Sequence, residues 1–237
     1  LTYDPTYAYE VAVIIQEGMR RMYQENESIY YYIALLNENY SHPPMPKGAE
    51  EGILRGMYQL ESVNVACKAK DKAPRVQLMG SGSILNEVRA AAEMLKEEFK
   101  VGSDVWSVTS FGELARDGYH ITRWNRLHPD KKARTSWVHD QLKGQKGPVI
   151  SSTDYIRLQS EQIRAFVPGS YHVLGTDGFG RSDTRWNLRA FFEVDRYHVV
   201  VAALNALAEE GTVERDTVIE AMNQYGIDPD KPNPVSS

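Results

Sequence analysis

Cysteine is nearly absent from this sequence. Cys67 is the only one among 237 residues, so the chain cannot form an internal disulfide. A cluster of thiolates on one metal ion is excluded for the same reason. The composition favours a reducing compartment, where structural disulfides are rare.

Long hydrophobic runs are absent as well. The longest candidate, Val199–Leu207, is far shorter than the roughly 20 apolar residues that a membrane helix needs. The net charge of −5 argues against nucleic acid or an anionic membrane as the main partner. With 42% hydrophobic and 25% charged residues, the chain has the composition of an ordinary globular protein. These counts predict neither nucleic acid nor membrane as a partner.

The common catalytic motifs are also lacking. The sequence has no Gly-x-Ser-x-Gly elbow and no Gly-Lys pair of a phosphate-binding loop. His120, His128 and His139 form no His-Glu-x-x-His pattern, so we interpret them as surface or packing residues. Gly80-Ser81-Gly82-Ser83 follows a predicted strand, but Leu85 stands where a dinucleotide fingerprint needs a third small residue. We interpret this stretch as a tight turn with Ser83 as a helix N-cap.

The sequence does contain an alternation of β-prone runs and amphipathic helices. The predicted strands are Gly56–Val63, Arg75–Gly80, Asp104–Val108, Pro148–Ile150 and Tyr171–Leu174. The predicted helices are Ile84–Phe99, Phe111–Leu127 with a break near Gly118, Ser136–Leu142, Tyr155–Phe166, Arg185–Phe192, Asp195–Glu209 and Glu214–Tyr225. We expect a basic turn at Lys68–Pro74 and an extended or frayed tail at Asp228–Ser237. This order predicts an α/β fold, a mostly parallel sheet with helices on both faces, in which Gly56–Val63 is the candidate antiparallel edge strand.

A smaller unit precedes these elements. A helix is predicted from Tyr7 to Met22 with Asp4 or Thr6 as its N-cap, followed by a strand at Ile29–Ala34. This pair is too small to bury a core alone. Three prolines within Asn37–Gly48 exclude regular structure over much of that stretch, which predicts a connection between domains.

The stretch Leu174–Arg185 has three glycines in six positions and joins a predicted strand to a predicted helix. A turn of this kind, at the carboxyl end of a strand, is where α/β sheets place ligands or partner surfaces. Asp183 or Thr184 is expected to cap the helix. The candidate site residues are Asp177, Arg181 and Asp183. They lock the loop by pairing charges, or they meet an anion or a neighbouring subunit, and locking is the favoured role.

The sequence resembles one known family over nearly its whole length. Gly175-Thr176-Asp177-Gly178-Phe179-Gly180-Arg181-Ser182-Asp183 resembles the C-terminal domain of the homodimeric, bacterial-type pyruvate dehydrogenase decarboxylating component. Other stretches that resemble this family, in the same order, are Tyr7–Ile14, Leu36–Tyr40, Gly48–Ile53, Leu78–Leu85, Val108–Gly118 and Ser151–Tyr155. The match is to the last quarter of the family's long subunit, and the chain begins without Met. We therefore expect a piece of a longer polypeptide.

The resemblance implies a domain plan and a parent activity. Residues 1–40 would be the end of the middle, pyrimidine-binding domain, 41–53 a linker, and 54–237 a transketolase-like C-terminal domain. The parent would be an oxidoreductase that decarboxylates pyruvate with thiamine diphosphate and Mg²⁺. It would then pass the acetyl group to lipoyl groups on the dihydrolipoyl acetyltransferase core of the complex.

The resemblance also implies a structural role for this part of the family's subunit. The family's catalytic residues and its ligands for Mg²⁺ and diphosphate lie upstream, so no catalytic, cofactor-binding or metal residue is carried onto this sequence. We expect the chain to support its own subunit and a homodimer in the bacterial cytoplasm. Alone, it is expected to bind no cofactor and to be inactive.

The sequence also contains a partial match to a thiamine motif, and it leaves two alternative functions open. Asp177-Gly178, with Asn205 downstream, mimics the Gly-Asp-Gly…Asn pattern that holds Mg²⁺ and diphosphate, but Thr176 interrupts it and Asn205 lies inside a predicted helix. We therefore reject the match. One alternative is a self-contained module for a small or regulatory ligand at Gly175–Ser182 and Gly80–Ser83. A concave polar pocket at the carboxyl ends of the strands, with convergent backbone N–H groups, would be evidence for it. The other is the same domain of a related thiamine enzyme acting on another 2-oxo acid or a sugar phosphate.

Overall fold

The computed structural model describes residues 1–66 and 73–236, and a five-stranded sheet forms the centre of that part of the chain. Its strands are β3 (Met57–Val63), β4 (Arg75–Gly80), β5 (Gly102–Val108), β6 (Val149–Ser152) and β7 (Tyr171–Leu174). They lie in the order β3-β5-β4-β6-β7. Every neighbouring pair is parallel except β3 and β5, which are antiparallel. The predicted α/β fold and its antiparallel edge strand are confirmed.

Helices cover both faces of this sheet. One face packs against α3 (Ile84–Phe99), α8 (Arg196–Glu209) and α9 (Arg215–Tyr225). The other packs against α4 (Phe111–Leu127), α5 (Trp137–Leu142) and the segment that includes α6 (Arg157–Glu161). Successive side chains of a strand point to opposite faces, so Leu78 enters the first core and Met79 the second. The remaining helix of this domain, α7 (Arg185–Phe191), lies between β7 and α8 in the sequence.

The N-terminal unit consists of β1 (Thr2–Tyr3), α1 (Ala8–Met19), β2 (Tyr32–Ile33) and α2 (Glu50–Arg55). A π-helical turn at Arg20–Gln24 extends α1. Strands β1 and β2 pair in parallel as a separate two-stranded sheet. Residues 34–49, all of which the structure describes, contain no helix or strand, which confirms that the proline-rich stretch is irregular. That it connects two domains stays a prediction.

Two details of this unit were predicted wrongly. The N-cap of α1 is Tyr7, not Asp4 or Thr6, because the carboxylate of Glu10 reaches back to the N–H of Tyr7. The strand expected at Ile29–Ala34 is limited to two residues, because β1 offers only two partners.

Gly118 does not break α4, contrary to the prediction. A Cβ at this position would lie 2.3 Å from the ring of Phe166. The glycine therefore allows Phe166 to approach the helix closely, while the helix continues through it. Close packing explains this glycine better than backbone freedom.

The helix predicted at Tyr155–Phe166 is also much shorter than expected. It is reduced to α6 and a 3₁₀ turn at Arg164–Phe166. The carbonyl of Tyr155 accepts a hydrogen bond from the N–H of Thr176, and the N–H of Arg157 donates to Asp177. The glycine-rich stretch thus forms hydrogen bonds with backbone groups at the start of the predicted helix, in place of bonds within that helix.

The tail is not extended or frayed over residues 228–236. It forms turns, and the Nζ of Lys231 donates hydrogen bonds to the carbonyls of Ala190 and Phe191 at the end of α7. Pro234 is buried, and its carbonyl would lie 2.2 Å from a Cβ at Gly178. The tail therefore packs against the glycine-rich stretch.

Two other expectations depend on which residues the structure describes. Most of the turn predicted at Lys68–Pro74 lies outside the described residues. Within residues 1–66 and 73–236, no helix is both long and apolar enough to cross a membrane.

Candidate functional site

The carboxyl edge of the sheet brings together the loops that the sequence singles out. Ser81 follows β4 and Thr153 follows β6, and their hydroxyl oxygens lie 3.0 Å apart. The N-terminal segment covers part of this edge. Asp4 donates its N–H to the carbonyl of Thr109, and the hydroxyl of Thr6 donates to the carbonyl of Gly82. We call this contact region the junction.

Glu10 is the central residue of the junction and is fully buried. Its carboxylate accepts hydrogen bonds from the N–H groups of Thr6 and Tyr7, at 2.5 and 2.9 Å. It also accepts from the hydroxyls of Tyr58 and Ser107, both at 2.6 Å. Burial raises the pKa of Glu10, and the hydrogen bonds from Ser107 and Tyr58 oppose that rise. This carboxylate ties α1 to β3 and β5.

Asp4 is a second acid of the junction. Burial raises its pKa to about 7, the hydroxyl of Ser81 opposes the rise, and the nearby carboxylates of Asp154 and Glu10 add to it. A Cβ at Gly82 would lie 2.8 Å from a carboxylate oxygen of Asp4, and Gly82 has φ +51°. A glycine is needed here so that Asp4 can approach the turn.

Ser83 is the N-cap residue of α3, as predicted, but its side chain makes no capping hydrogen bond. Its hydroxyl instead accepts a hydrogen bond from Arg189 at 3.1 Å. Thr184 does cap α7 as predicted, because its hydroxyl accepts the N–H of Asn187.

The three candidate residues of the glycine-rich stretch have separate partners. Asp177 accepts from the N–H of Arg157 at 3.1 Å and from its Nε at 2.5 Å. Asp183 accepts from the N–H of Thr184 and from the side-chain amide of Asn187. The guanidinium of Arg181 lies 4.7 Å from the centre of the Phe191 ring. Whether these residues lock the loop or meet a partner stays a prediction.

A cleft of about 240 Å³ opens beside this loop, and we call it the arginine cleft. Three arginines line it, each four residues from the next: Arg181, Arg185 and Arg189. The other lining residues are Leu36, Ser83, Asp154, Thr176, Gly178, Gly180, Leu188, Phe192 and Val194. A concave pocket therefore lies beside the loop named in the ligand-module alternative, with both polar and apolar side chains in its wall.

The arginines differ in how firmly they are held. Arg189 pairs with Glu38 at 2.5 Å and with Glu87 at 3.3 Å, and its side chain is only 12% exposed. Arg185 donates to the side-chain oxygen of Asn37 at 2.6 Å. Arg181 has no carboxylate partner among the residues that the structure describes.

The carboxyl groups near the cleft differ in their exposure to solvent, and Asp154 is an exposed residue. Glu87, which is almost fully buried, is shared between Arg189 and Arg196. Partial desolvation of its carboxyl group raises the pKa of Asp154, the charge of Arg189 opposes the rise, the charge of Glu38 adds to it and that of Arg185 opposes it. Sequence reasoning missed this cluster, although Arg185 and Arg189, four residues apart on the predicted helix, were a readable signal of one arginine-bearing face.

The residues that mimic a thiamine-diphosphate site do not fit that group. Both carboxylate oxygens of Asp177 are engaged by Arg157, and the exposed Asn205 donates to Glu209. No group of three or more His, Cys, Asp or Glu side chains suits a metal ion in the described part of the chain. Of the three histidines, His128 stacks on the ring of Trp124.

Comparison with known proteins agrees with the fold and with the motifs. Residues 56–195 match the family model of the transketolase-like C-terminal domain, and residues 1–43 match that of the pyruvate dehydrogenase E1 component middle domain. Among curated proteins, the pyruvate dehydrogenase E1 component of Pseudomonas aeruginosa is 59% identical over 235 residues, or 99% of this chain. That of Escherichia coli is 53% identical over 236 residues. The chain spans about 26% of the length of each of these relatives.

Solved structures show the same fold at greater distance. A transketolase from Pichia stipitis covers 90% of this chain with a TM-score of 0.57 and 18% identity, and the chain covers 26% of it. The transketolase of Leishmania mexicana gives a TM-score of 0.55, also at 18% identity, over 88% of this chain and 25% of its own. With more than half of its residues matched by the family model, the chain belongs to the family of transketolase-like C-terminal domains.

Proposed function

We propose that this chain acts as the C-terminal part of a pyruvate dehydrogenase E1 component. The observation that carries the proposal is similarity along the whole chain: it is 50–59% identical to E1 components over 99–100% of its length. The parent would decarboxylate pyruvate and acetylate lipoyl groups. The relatives bear the name of one activity, which disfavours an enzyme for another 2-oxo acid or a sugar phosphate.

The domain plan is part of this proposal. Residues 1–40 would end the middle domain, 41–53 would link, and 54–237 would form the C-terminal domain. The matched ranges 1–43 and 56–195 support this plan, as does the stretch without helix or strand between β2 and α2.

The role of the chain would be to support the subunit and its homodimer. The junction around Glu10 would hold the two domains together. Ile15 and Met19, one turn apart on α1, are 46% and 57% exposed, and the rest of the middle domain would cover them. We also propose that Asp177 and Asp183 lock the glycine-rich stretch through the hydrogen bonds described above.

The cofactor and the partners would be those of the parent. Thiamine diphosphate and Mg²⁺ would bind upstream residues of the longer subunit, so no step of the reaction is assigned to this chain. The dihydrolipoyl acetyltransferase core would be the partner of the whole enzyme. The family resemblance implies a cytoplasmic location.

A chimera tests the proposal. The corresponding quarter of the Pseudomonas aeruginosa E1 component is replaced by this chain, and pyruvate decarboxylation and lipoyl acetylation are measured. We expect an active dimer, whereas the same enzyme without its last quarter should be inactive. A chimera that folds and dimerises but does not turn over pyruvate would contradict the proposal.

A further inference from the structure

The arginine cleft has the position and the lining of a ligand site. It lies at the carboxyl edge of the parallel strands, where open α/β sheets bind ligands. Ser83 comes from the turn after β4, Asp154 from the end of β6, and Thr176 from the loop after β7. Three consecutive loops of the edge thus converge on one cavity. We propose that the arginine cleft binds a small organic oxyanion, a phosphate monoester or a carboxylate, through Arg181.

Three arginines and one acidic residue, Asp154, line the cleft, so its lining side chains carry more positive than negative charge, which favours an anion. Arg189 is fixed by two carboxylates and Arg185 by Asn37, so both guanidinium groups hold their positions without a ligand. Arg181 lies against the Phe191 ring, and no carboxylate of the described chain neutralises it. A planar guanidinium donates two parallel hydrogen bonds to a carboxylate or phosphate. Arg181 is therefore the cation that remains available to a ligand.

The remaining wall selects an organic anion rather than an inorganic one. Leu36, Leu188 and Phe192 give the cavity an apolar side, on which a hydrocarbon part can be buried. Gly180 leaves open space, since a Cβ there would meet no atom within 4 Å. The cavity of about 240 Å³ falls just below the roughly 300–1,000 Å³ of drug-sized sites, which points to a small metabolite.

The test is a calorimetric titration of the 237-residue chain with phenyl phosphate, with benzoate and with inorganic phosphate. We expect saturable one-to-one binding of phenyl phosphate or benzoate, tighter than that of inorganic phosphate. The organic probe that binds more tightly shows whether the site prefers a phosphate or a carboxylate group. The absence of saturable heat with both organic probes would overturn the proposal.

Matched variants locate the binding. Arg181→Gln should lower the affinity for the more tightly bound probe about tenfold or more, because a charge-assisted hydrogen bond is lost. Arg181→Lys keeps the positive charge but loses the pair of parallel donors. Its affinity for the probe should lie between those of the parent and of Arg181→Gln. Arg123→Gln, an exposed arginine of α4 outside the cleft, should bind like the parent. Equal affinity of the parent and Arg181→Gln, or equal losses in Arg181→Gln and Arg123→Gln, would refute a site at Arg181.

Two measurements keep the result independent of folding and of the proposed function. Among the described residues Arg181 makes no hydrogen bond or ion pair, and its ring contact is with Phe191, so Arg181→Gln should unfold at the temperature of the parent. Amide resonances of Gly178 and Gly180 should shift on titration of the parent chain, and shifts confined to other regions would contradict the site. No step uses pyruvate or thiamine diphosphate, so an inactive chimera and a silent cleft are separate failures.

Discussion

The junction and the arginine cleft lie at the same edge of the sheet, but they differ in whether their ionisable side chains have partners within the fold. At the junction, Glu10 is fully buried and accepts four hydrogen bonds from uncharged donors. In the cleft, Arg189 is held by two carboxylates while Arg181 has none among the described residues. Both oxygens of the Glu10 carboxyl group have hydrogen-bond partners, whereas the guanidinium group of Arg181 has no ion pair among the described residues.

This difference distinguishes a structural cluster from a binding surface. A buried carboxylate with every partner in place has no capacity for a ligand, and removing it leaves its donors unpaired. An exposed guanidinium with no ion pair costs the fold little and can accept an anion from solution. Changes at the junction should therefore alter stability, and changes at Arg181 should alter binding alone.

The largest effect is expected from Glu10→Ala. The hydroxyl of Ser107 and the N–H groups of Thr6 and Tyr7 would lose their partner in a dry site, at about 1–3 kcal/mol for each unsatisfied group. We expect the free energy of unfolding to fall by roughly 4–5 kcal/mol, measured by urea denaturation. Glu17→Ala on the outer part of the same helix is the control and should stay near the parent. Equal losses in the two variants would remove the distinction between junction and surface.

A smaller effect with a defined pH window is expected from Asp4→Asn. The pKa of Asp4 is raised from 3.8 to about 7 in the folded chain, so the folded state binds this proton more tightly than the unfolded state. Its contribution to stability is therefore fully present below pH 4 and is lost as the pH rises to 7, by up to about 4 kcal/mol. Relative to the parent, Asp4→Asn should gain stability over this interval. The control is Asp216→Asn, at an exposed site on α9. The pH dependence of its free energy of unfolding should be the same as that of the parent.

The third effect concerns the fixed side of the cleft. Arg189→Met keeps the bulk of the side chain but removes the closer ion pair of Glu38, which keeps Arg185 at 3.8 Å, and it leaves Glu87 with Arg196 alone. We expect a loss of about 2 kcal/mol, less than for a fully buried pair because Glu38 is partly exposed. Amide exchange at Asn37–Tyr40 should accelerate, whereas Arg185→Met, which removes a half-exposed side chain, should change it less. Unchanged exchange would show that Arg189 does not hold the connection.

Much of the central fold was predictable because its elements carry a regular local pattern. The bounds of β4, α3 and β7 agree with the sequence-based prediction to the residue. The pairing of β1 with β2 was not predicted, since a strand of two residues shows no alternation. The role of Gly118 depends on a ring 48 positions away in the sequence, which no local rule reveals.

The site was less predictable for the same reason. The sequence indicated the glycine-rich stretch, and the helical spacing of Arg185 and Arg189 was visible in it. Their partners were not, because Glu38 is 151 residues from Arg189. Glu10 likewise meets Ser107 across 97 residues. Whether a charge is buried and paired, or exposed and available, is decided by contacts that form only in the folded chain.

The most direct test of the account is a titration of this chain with thiamine diphosphate, with and without Mg²⁺, paired with a pyruvate decarboxylation assay. The Arg181→Gln variant is titrated in parallel, so that any binding of the cofactor's phosphates in the arginine cleft is identified. The account predicts a folded chain with no Mg²⁺-dependent heat and no turnover. Saturable, Mg²⁺-dependent binding that persists in Arg181→Gln would mean that the chain itself holds the cofactor, and would contradict a purely supporting role.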